Sequence, residues 1–337
     1  MKENNSKRQV YFNGEFVPET EARVSIYDSA LMFGDMVFEM TRTFKGKQFK
    51  LQEHLERLYS GIKIFRIPLK LKLNDMEKAV YKTMEKNMKF FNKDDEHRIM
   101  IDVSRGLLSL YEDVDIRKGP NVIIADFPLR WTVQNLSHIY DHGLNLCVTS
   151  QRAIPAHLMD PKIKHRSRVF YLMANIEVSM IKGNDNWALL LDTNGFIAEC
   201  TGSNFFMVKD NVIFTPEDRN ILRGISMNTV INDLAPALNL KIIKKNIEPF
   251  DVYEADEVFL TSTPFCILPA VKLNGLKIGN GKPGKITRKL LKTWSDLVEV
   301  DIVKQIKSWD VKKNKKTGTT PYKFADNNTL TMALENN

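Results

Sequence analysis

The chain has 337 residues, 43% hydrophobic and 27% charged, with 16 Gly, 13 Pro and a formal net charge of +8. That length supports one large or two medium domains with real cores. The supply of Leu, Ile, Val and Phe excludes wholesale disorder, and no apolar run reaches the roughly 18 residues a membrane helix needs. The opening MKENNSKRQV lacks a secretory-type apolar stretch, so a cytoplasmic address is expected. Ordinary Gly and Pro levels and the lack of a short repeat exclude collagen-like, solenoid and low-complexity classes. Cys147, Cys200 and Cys266 are odd in number and far apart, which points to buried thiols rather than a disulfide framework or a metal site. Much of the excess charge lies in Lys304, Lys307, Lys312, Lys313, Lys315 and Lys316. This reads as a solvated basic tail, since no basic stripe interleaved with aromatics marks a nucleic-acid surface. Anionic small substrates are a second use for the charge.

In chain order, Tyr11 to Phe16 reads as a hairpin around Asn13-Gly14. Glu53 to Arg66 is an amphipathic helix carrying Leu55, Leu58, Ile62 and Phe65, stopped by Pro68. Asn74 is placed to cap a second helix with Met76, Val80, Met84 and Met88 on one face. Ile99, Ile101 and Val103 alternate as a half-buried strand, and Asn121 to Ala125 and Leu144 to Thr149 are further strands. Ser150 to Pro161 reads as a linker. A helix from Ser167 to Ile181 is predicted to turn Val169, Leu172, Met173, Ile176 and Met180 inward. Strands follow at Trp187 to Leu191, Phe205 to Val208, Val212 to Thr215, Lys241 to Ile243 and Glu257 to Thr261, with a helix after Gly224. A last helix runs from about Lys285 to Val298. The strands and helices lack a regular βαβ rhythm, which favours α+β architecture. The expected organisation is a small domain 8–149, a linker 150–161, a larger domain 162–300 and a disordered tail 310–337.

Two motifs are set aside. Gly279 to Lys285 spells G-x-x-x-x-G-K, but Ile286 stands where a magnesium-binding hydroxyl belongs, so it reads as a turn before the last helix. His138 and His142 are four apart with no further ligand nearby in sequence, too few for a metal site.

The chemistry-bearing segments are Asp160-Pro161-Lys162-Ile163-Lys164-His165-Arg166-Ser167-Arg168, then Ile197-Ala198-Glu199-Cys200-Thr201-Gly202-Ser203-Asn204, then Leu222-Arg223-Gly224-Ile225-Ser226. Far upstream is Glu53-His54-Leu55-Glu56-Arg57-Leu58. In this order, with Phe33-Gly34-Asp35, Val37-Phe38-Glu39 and Asp256 to Thr263, they resemble the class IV, or fold type IV, pyridoxal-phosphate (PLP) enzymes. That family holds branched-chain and D-amino-acid aminotransferases and aminodeoxychorismate lyase, and the resemblance spans roughly residues 11–295. It implies a two-domain α+β fold, with a small N-terminal α/β domain and a larger C-terminal one, the cofactor PLP at their interface, and a homodimer.

The resemblance assigns roles residue by residue. Lys164 would carry the cofactor, preferred over Lys162 because it lies thirteen positions before Glu177, a spacing of the D-amino-acid branch. An amine nucleophile needs a lowered pKa, which burial and the cations Arg166 and Arg168 would supply. Glu199, thirty-five positions on, would face the pyridine nitrogen. Arg57, Ile225, Ser226 and Thr263 would hold the phosphate, the helix start after Gly224 offering free N–H donors and Arg57 a guanidinium. Arg57 could instead pair with Glu53. Arg168 departs from the branched-chain type, which has a tyrosine there, and matches the lyase branch, where it would hold the cofactor's phenolic oxygen. Glu39, in place of the lyase threonine, favours amino transfer.

Both standard carboxylate clamps of the family are missing. Aligning His97-Arg98-Ile99-Met100 on Ile99 puts arginine where the branched-chain type has tyrosine and methionine where it has arginine, and Leu107 to Glu112 lacks the arginine and histidine of the D-amino-acid type. Phe38, Arg42 and Arg105 are the substrate-side candidates, with Arg130 as a further arginine. Leu107, Leu108 and Leu110 suggest a loop over an apolar pocket or an anchor to the core. The expected reaction is exchange of an amino group between an amino acid or amine and a 2-oxo acid, without metal, nucleic acid or membrane. The alternatives are a lyase of the aminodeoxychorismate lyase type and a non-catalytic binding module on the same scaffold.

Overall fold

The computed structural model describes residues 7–114, 118–183, 185–310, 322 and 324. The expected tail therefore lies outside the described residues except for Asp310, Tyr322 and Phe324, and Lys312, Lys313, Lys315 and Lys316 lie outside them entirely. No helix among the described residues is long and apolar enough to cross a membrane.

The first sheet uses β1 (Gln9–Phe12), β2 (Glu15–Pro18), β3 (Met36–Phe44), β4 (Lys47–Gln48), β5 (His97–Ser104) and β6 (Asn121–Pro128), in the order β2-β1-β6-β5-β3-β4. Asn13 and Gly14 both have positive φ, as the tight turn between β1 and β2 demands. The helices Leu51–Ile64 and Leu73–Asn87 cover one face. Leu55, Leu58, Met76 and Val80 pack there on Val37, Ile99, Ile101 and Val103. The predicted Asn74 cap is not used: the second helix begins at Leu73 after Lys72, with no side-chain cap. Period-two alternation sends Phe38, Met40 and Arg42 of β3, and Arg98, Met100 and Asp102 of β5, to the opposite face. That face borders the site.

The second sheet contains β7 (Leu144–Arg152), β8 (Asn186–Leu191), β9 (Ile197–Cys200), β10 (Ser203–Lys209), β11 (Val212–Thr215), β12 (Ile242–Lys244), β13 (Glu257–Ser262), β14 (Cys266–Leu273) and β15 (Leu276–Lys277). Its order is β12-β11-β10-β13-β14-β7-β8-β9, with β15 on β14, and β9 also pairs with β10, so the strands from β10 round to β9 close on themselves. This pairing corrects the expected division at 149. The strand beginning at Leu144 runs parallel to β8 and β14 and belongs to the second sheet, so the chain leaves the first sheet after Pro128. The segment read as a linker is β7 up to Arg152.

The helix Val169–Ser179 lies over β7 and β8. Its inward residues are Tyr171, Ala174 and Val178, whereas Val169, Met173 and Met180 are exposed, which reverses the expected facing. Helix Lys285–Leu297 starts after Gly284, where the Glu257 carboxylate accepts the N–H groups of Ile286 at 2.9 Å and Thr287 at 2.8 Å. The Gly279 to Lys285 motif is thus a helix start whose anion is a side chain of the protein itself.

Candidate active site

A tight turn delivers the lysine. Asp160 accepts the N–H of Lys162 on its side chain at 2.9 Å and that of Ile163 on its carbonyl at 3.0 Å. Ile163 is buried against the first core, which anchors the next residues. They then run along the free edge of β3: Phe38 N–H donates to the Lys164 carbonyl and Arg166 N–H to the Met36 carbonyl, both at 2.9 Å. Lys162 instead turns outward and pairs with Asp160 at 2.8 Å. The Lys164 Nζ lies 4.8 Å from the Phe38 ring centre, with the Arg166 and Arg168 guanidinium carbons at 3.8 and 5.2 Å from that ring. Burial, then Arg168 and Arg57, push the Lys164 pKa well below the ordinary lysine value, against the opposing pull of Glu39 and Glu199.

Glu199 sits on β9, reached by a turn in which Asp192 accepts the N–H groups of Asn194 and Phe196. The Tyr171 hydroxyl donates to its Oε1 at 2.5 Å, and Asn204 Nδ2 and Leu222 N–H donate to its Oε2 at 3.3 and 3.1 Å. Burial pushes the carboxyl up, while Tyr171, Arg168, the Leu222 N–H and Lys164 hold it down. Its hydrogen-bond partners among the described residues, a hydroxyl, an amide nitrogen and a backbone N–H, can all donate to a carboxylate. Burial and the neighbouring Glu199 keep Tyr171 protonated, its pKa well above the ordinary tyrosine value.

Arg57 does not pair with Glu53. It grips the fully buried Glu39 with Nε at 2.6 Å and Nη2 at 2.9 Å, and donates from Nη1 to the Arg223 carbonyl at 2.7 Å. Three of its five N–H donors are thus engaged. Arg57 and His54 hold Glu39 well below the usual carboxylate range, overcoming the burial that would raise it. A small cavity is lined by Arg57, Lys164, Arg168, Glu199, Ile225, Ser226, Thr261 and Thr263. Next to it, a larger cavity of about 510 Å³ is lined by Phe38, Met40, Arg98, Val178, Trp187 and Pro264, and shares Lys164, Arg168 and Thr263 with the first.

Gly224 is required by close approach, not by its φ of −67°: a Cβ there would lie 2.0 Å from Asn204 Oδ1. The Asn204 amide also donates to the Leu222 carbonyl at 2.8 Å. Gly224→Ala is expected to displace Asn204 and the 222–226 loop together, costing about 1–3 kcal/mol of stability and weakening cofactor binding. Thermal melting and a fluorescence titration of the stripped protein with PLP check this.

A family model described as amino-transferase class IV matches residues 36–273. The chain belongs to the class IV aminotransferases. It is 33% identical over 290 residues, 86% of this chain and 96% of the other, to a Methanocaldococcus jannaschii protein assigned to the branched-chain-amino-acid aminotransferases. The solved branched-chain amino acid aminotransferase of Escherichia coli matches with TM-score 0.75 and 28% identity, covering 87% of this chain and 95% of that one. The branched-chain aminotransferase of Thermoproteus uzoniensis with norvaline matches with TM-score 0.75 and 27% identity, covering 90% and 97%. Similar structures of this kind have been solved with pyridoxamine 5'-phosphate and with a phosphopyridoxyl-glutamate adduct. The aminotransferase accordingly has the two-domain α+β architecture of fold type IV and depends on PLP.

The residues present fit that cofactor. The hydroxyl of Thr261 is buried without a hydrogen-bond partner among the described residues, and it lines the small cavity with Arg57, Ser203, Ser226 and Thr263, where a phosphate would satisfy it. Two of the substrate-side candidates are tied up elsewhere. Arg42 is buried and donates to the carbonyls of Thr43 at 3.2 Å and Pro264 at 3.1 Å, and to Gln305 at 3.1 Å. Arg105 grips Asp35 and donates to the carbonyls of Phe65 and Arg66. Arg130 pairs with Asp95. Phe38 does line the larger cavity, while Leu107 is buried and Leu110 is exposed. Sequence reasoning passed over Tyr171 and Asn204. The facing of Tyr171 could have revealed it, since a tyrosine on the inner side of a buried helix needs a partner for its hydroxyl.

Proposed function

We propose that the chain is a homodimeric aminotransferase that moves an amino group between an α-amino acid of apolar side chain and a 2-oxo acid. The observation that carries this is the placement of Lys164, whose amine burial and Arg168 make less basic, and Glu199, which accepts three hydrogen bonds, on one small cavity that opens into a larger, partly apolar one. When bound, PLP supplies an electron sink for the bond broken at the substrate Cα. Lys164 Nζ would hold the cofactor and, as an amine, would take a proton from the substrate Cα and return it. Glu199 would keep the ring nitrogen protonated. Arg57, Ser203, Ser226, Thr261, Thr263 and the Ile225 N–H would hold the phosphate, and Arg168 would hold the phenolic oxygen. Phe38, Met40, Val178 and Trp187 exclude water from the substrate side.

Dimerisation is supported by apolar surface beside the site. Leu31 and Phe33 are 65% and 66% exposed, and Val169 is 67% exposed. The Ser167 hydroxyl donates to the Gly34 carbonyl at 3.0 Å and brings the two segments together. A cytoplasmic address is supported by three free, buried thiols. The test is a screen of both enantiomers of leucine, norvaline, alanine and glutamate with 2-oxoglutarate or 4-methyl-2-oxopentanoate, with light scattering for mass. The expected result is exchange, best with an apolar donor, by a particle of twice the chain mass. No exchange with any pair in the presence of PLP overturns the reading.

A further inference from the structure

We propose that Arg98 is the group that binds a substrate carboxylate, replacing the clamps this chain lacks. The inference rests on the aminotransferase reading above and names the anchor for its substrates. Arg98 lies on β5 directly across from Arg42 of β3, so two guanidinium groups face the same side of the sheet. Like charges opposed in this way are unfavourable unless something offsets them. Arg42 is fully engaged with carbonyl and amide oxygens, as described above. Arg98 is not. It is only 7% exposed, its Nε and Nη1 have no hydrogen-bond partner among the described residues, and its Nη2 reaches only the Met40 sulfur at 3.5 Å.

A buried guanidinium with idle donors is costly unless an anion completes it. No carboxylate acts on this one. Burial and Arg42 push its pKa down to about 9, and no acidic side chain opposes them. The idle donors belong to a residue that lines the larger cavity together with Lys164 and Phe38. Of the other two arginines on that cavity, Arg166 grips Asp102 with Nε at 2.8 Å and Nη2 at 2.7 Å, and Arg168, whose Nε donates to the His165 carbonyl at 2.8 Å, also lines the small cavity where the proposed function uses it for the cofactor. Nε and a terminal nitrogen form the fork that matches the two oxygens of a carboxylate. The carboxylate is either the one beside the reacting carbon or the distal one of a dicarboxylic partner, and the fork suits both.

The experiment compares the holoenzyme with Arg98→Met and Arg98→Lys. Calorimetry measures binding of 4-methylpentanoate and glutarate against their neutral amides, which cannot react. The wild type is expected to prefer the acids, and Arg98→Met to lose that preference, with acid affinity falling about 100-fold and the visible cofactor band unchanged. Arg98→Lys keeps the charge without the fork and is expected to fall between, and it carries the same comparison if the methionine variant fails to fold. Loss for both acids assigns the carboxylate beside the reacting carbon; loss for glutarate alone assigns the distal one. KM for the corresponding oxo acids rises in parallel, with kcat changed less. A wild type without acid preference, or a variant that retains it, overturns the assignment. A wild type that prefers acids but transfers no amino group instead overturns the proposed function and leaves the carboxylate site standing.

Discussion

Lys164→Ala is expected to lower the rate of amino transfer by about 10⁴-fold or more, because in the proposed function one amine performs both the anchoring and the proton transfer. The side chain is irreplaceable from its surroundings. Lys162 points away to Asp160, and the cations nearest the Phe38 ring are arginines, too basic to give up a proton at neutral pH. Steady-state amino transfer checks the rate. Borohydride reduction followed by peptide mass spectrometry checks the attachment: the label is expected on Lys164 in the wild type and absent in the variant. A variant that turns over like the parent, or a label found on another lysine, removes the foundation of the mechanism.

The same depressed pKa makes a stability prediction of definite sign. With the cofactor stripped, the folded chain binds a proton at Lys164 less readily than the unfolded chain, whose lysine holds one up to the ordinary value of 10.5. The unfolded state therefore carries more protons below that pH, and this site's contribution to stability falls as pH falls from 10.5 toward the depressed folded value. Lys164→Met removes the penalty. The stripped methionine variant is expected to resist urea better than the stripped parent at about pH 7, with the difference narrowing as pH rises toward about 10. Equal urea midpoints at every pH would show that folding does not lower the proton affinity of this amine. On the proposed function, the cost is the counterpart of a nucleophile that gives up its proton more readily.

The fold was legible in the sequence where periodicity had contrast. The helix Leu51–Ile64 separates buried from exposed residues, strand β5 alternates apolar with polar side chains although both its faces are covered, and both were readable to within a few positions. The helix Val169–Ser179 is apolar nearly all round, so nothing in its spacing says which side turns inward. The answer depends on Ala174, small enough to sit against β7 and β8, and on Tyr171, which needs Glu199. The sheet membership of β7 depends on parallel partners more than a hundred residues away in β14 and some forty in β8, which no local pattern encodes. The helix Ile302–Ser308 was hidden because its lysines read as the start of a basic tail. The site followed the same rule. Lys164, Glu199 and Ser226 stand in a recognisable order along the chain, but Arg98 stands where the branched-chain type has a tyrosine, so that order lends it no role. Alternation puts it on the face of β5 opposite Ile99, Ile101 and Val103, which reads as a solvent face until the second sheet's elements are seen to cover it.

Glu199→Gln is expected to lower kcat by on the order of 10²–10³-fold while leaving the fold and substrate KM nearly unchanged. The substitution keeps size and hydrogen bonding. A glutamine oxygen in the place of Oε2 still accepts from Asn204 and Leu222, and its amide nitrogen can donate to the Tyr171 oxygen once the hydroxyl turns away. What disappears is the negative charge that, in the proposed function, would hold a proton on the ring nitrogen. Glu199→Asp keeps the charge and shortens the reach, so it is expected to retain more activity than glutamine. Stopped-flow absorbance of the half-reaction, measured beside the melting temperature, separates loss of chemistry from loss of structure. If glutamine serves as well as glutamate, the ring nitrogen does not depend on this carboxylate, and the three donors gathered on Glu199 do no more than tie β9 to the helix Val169–Ser179 and the 222–226 loop.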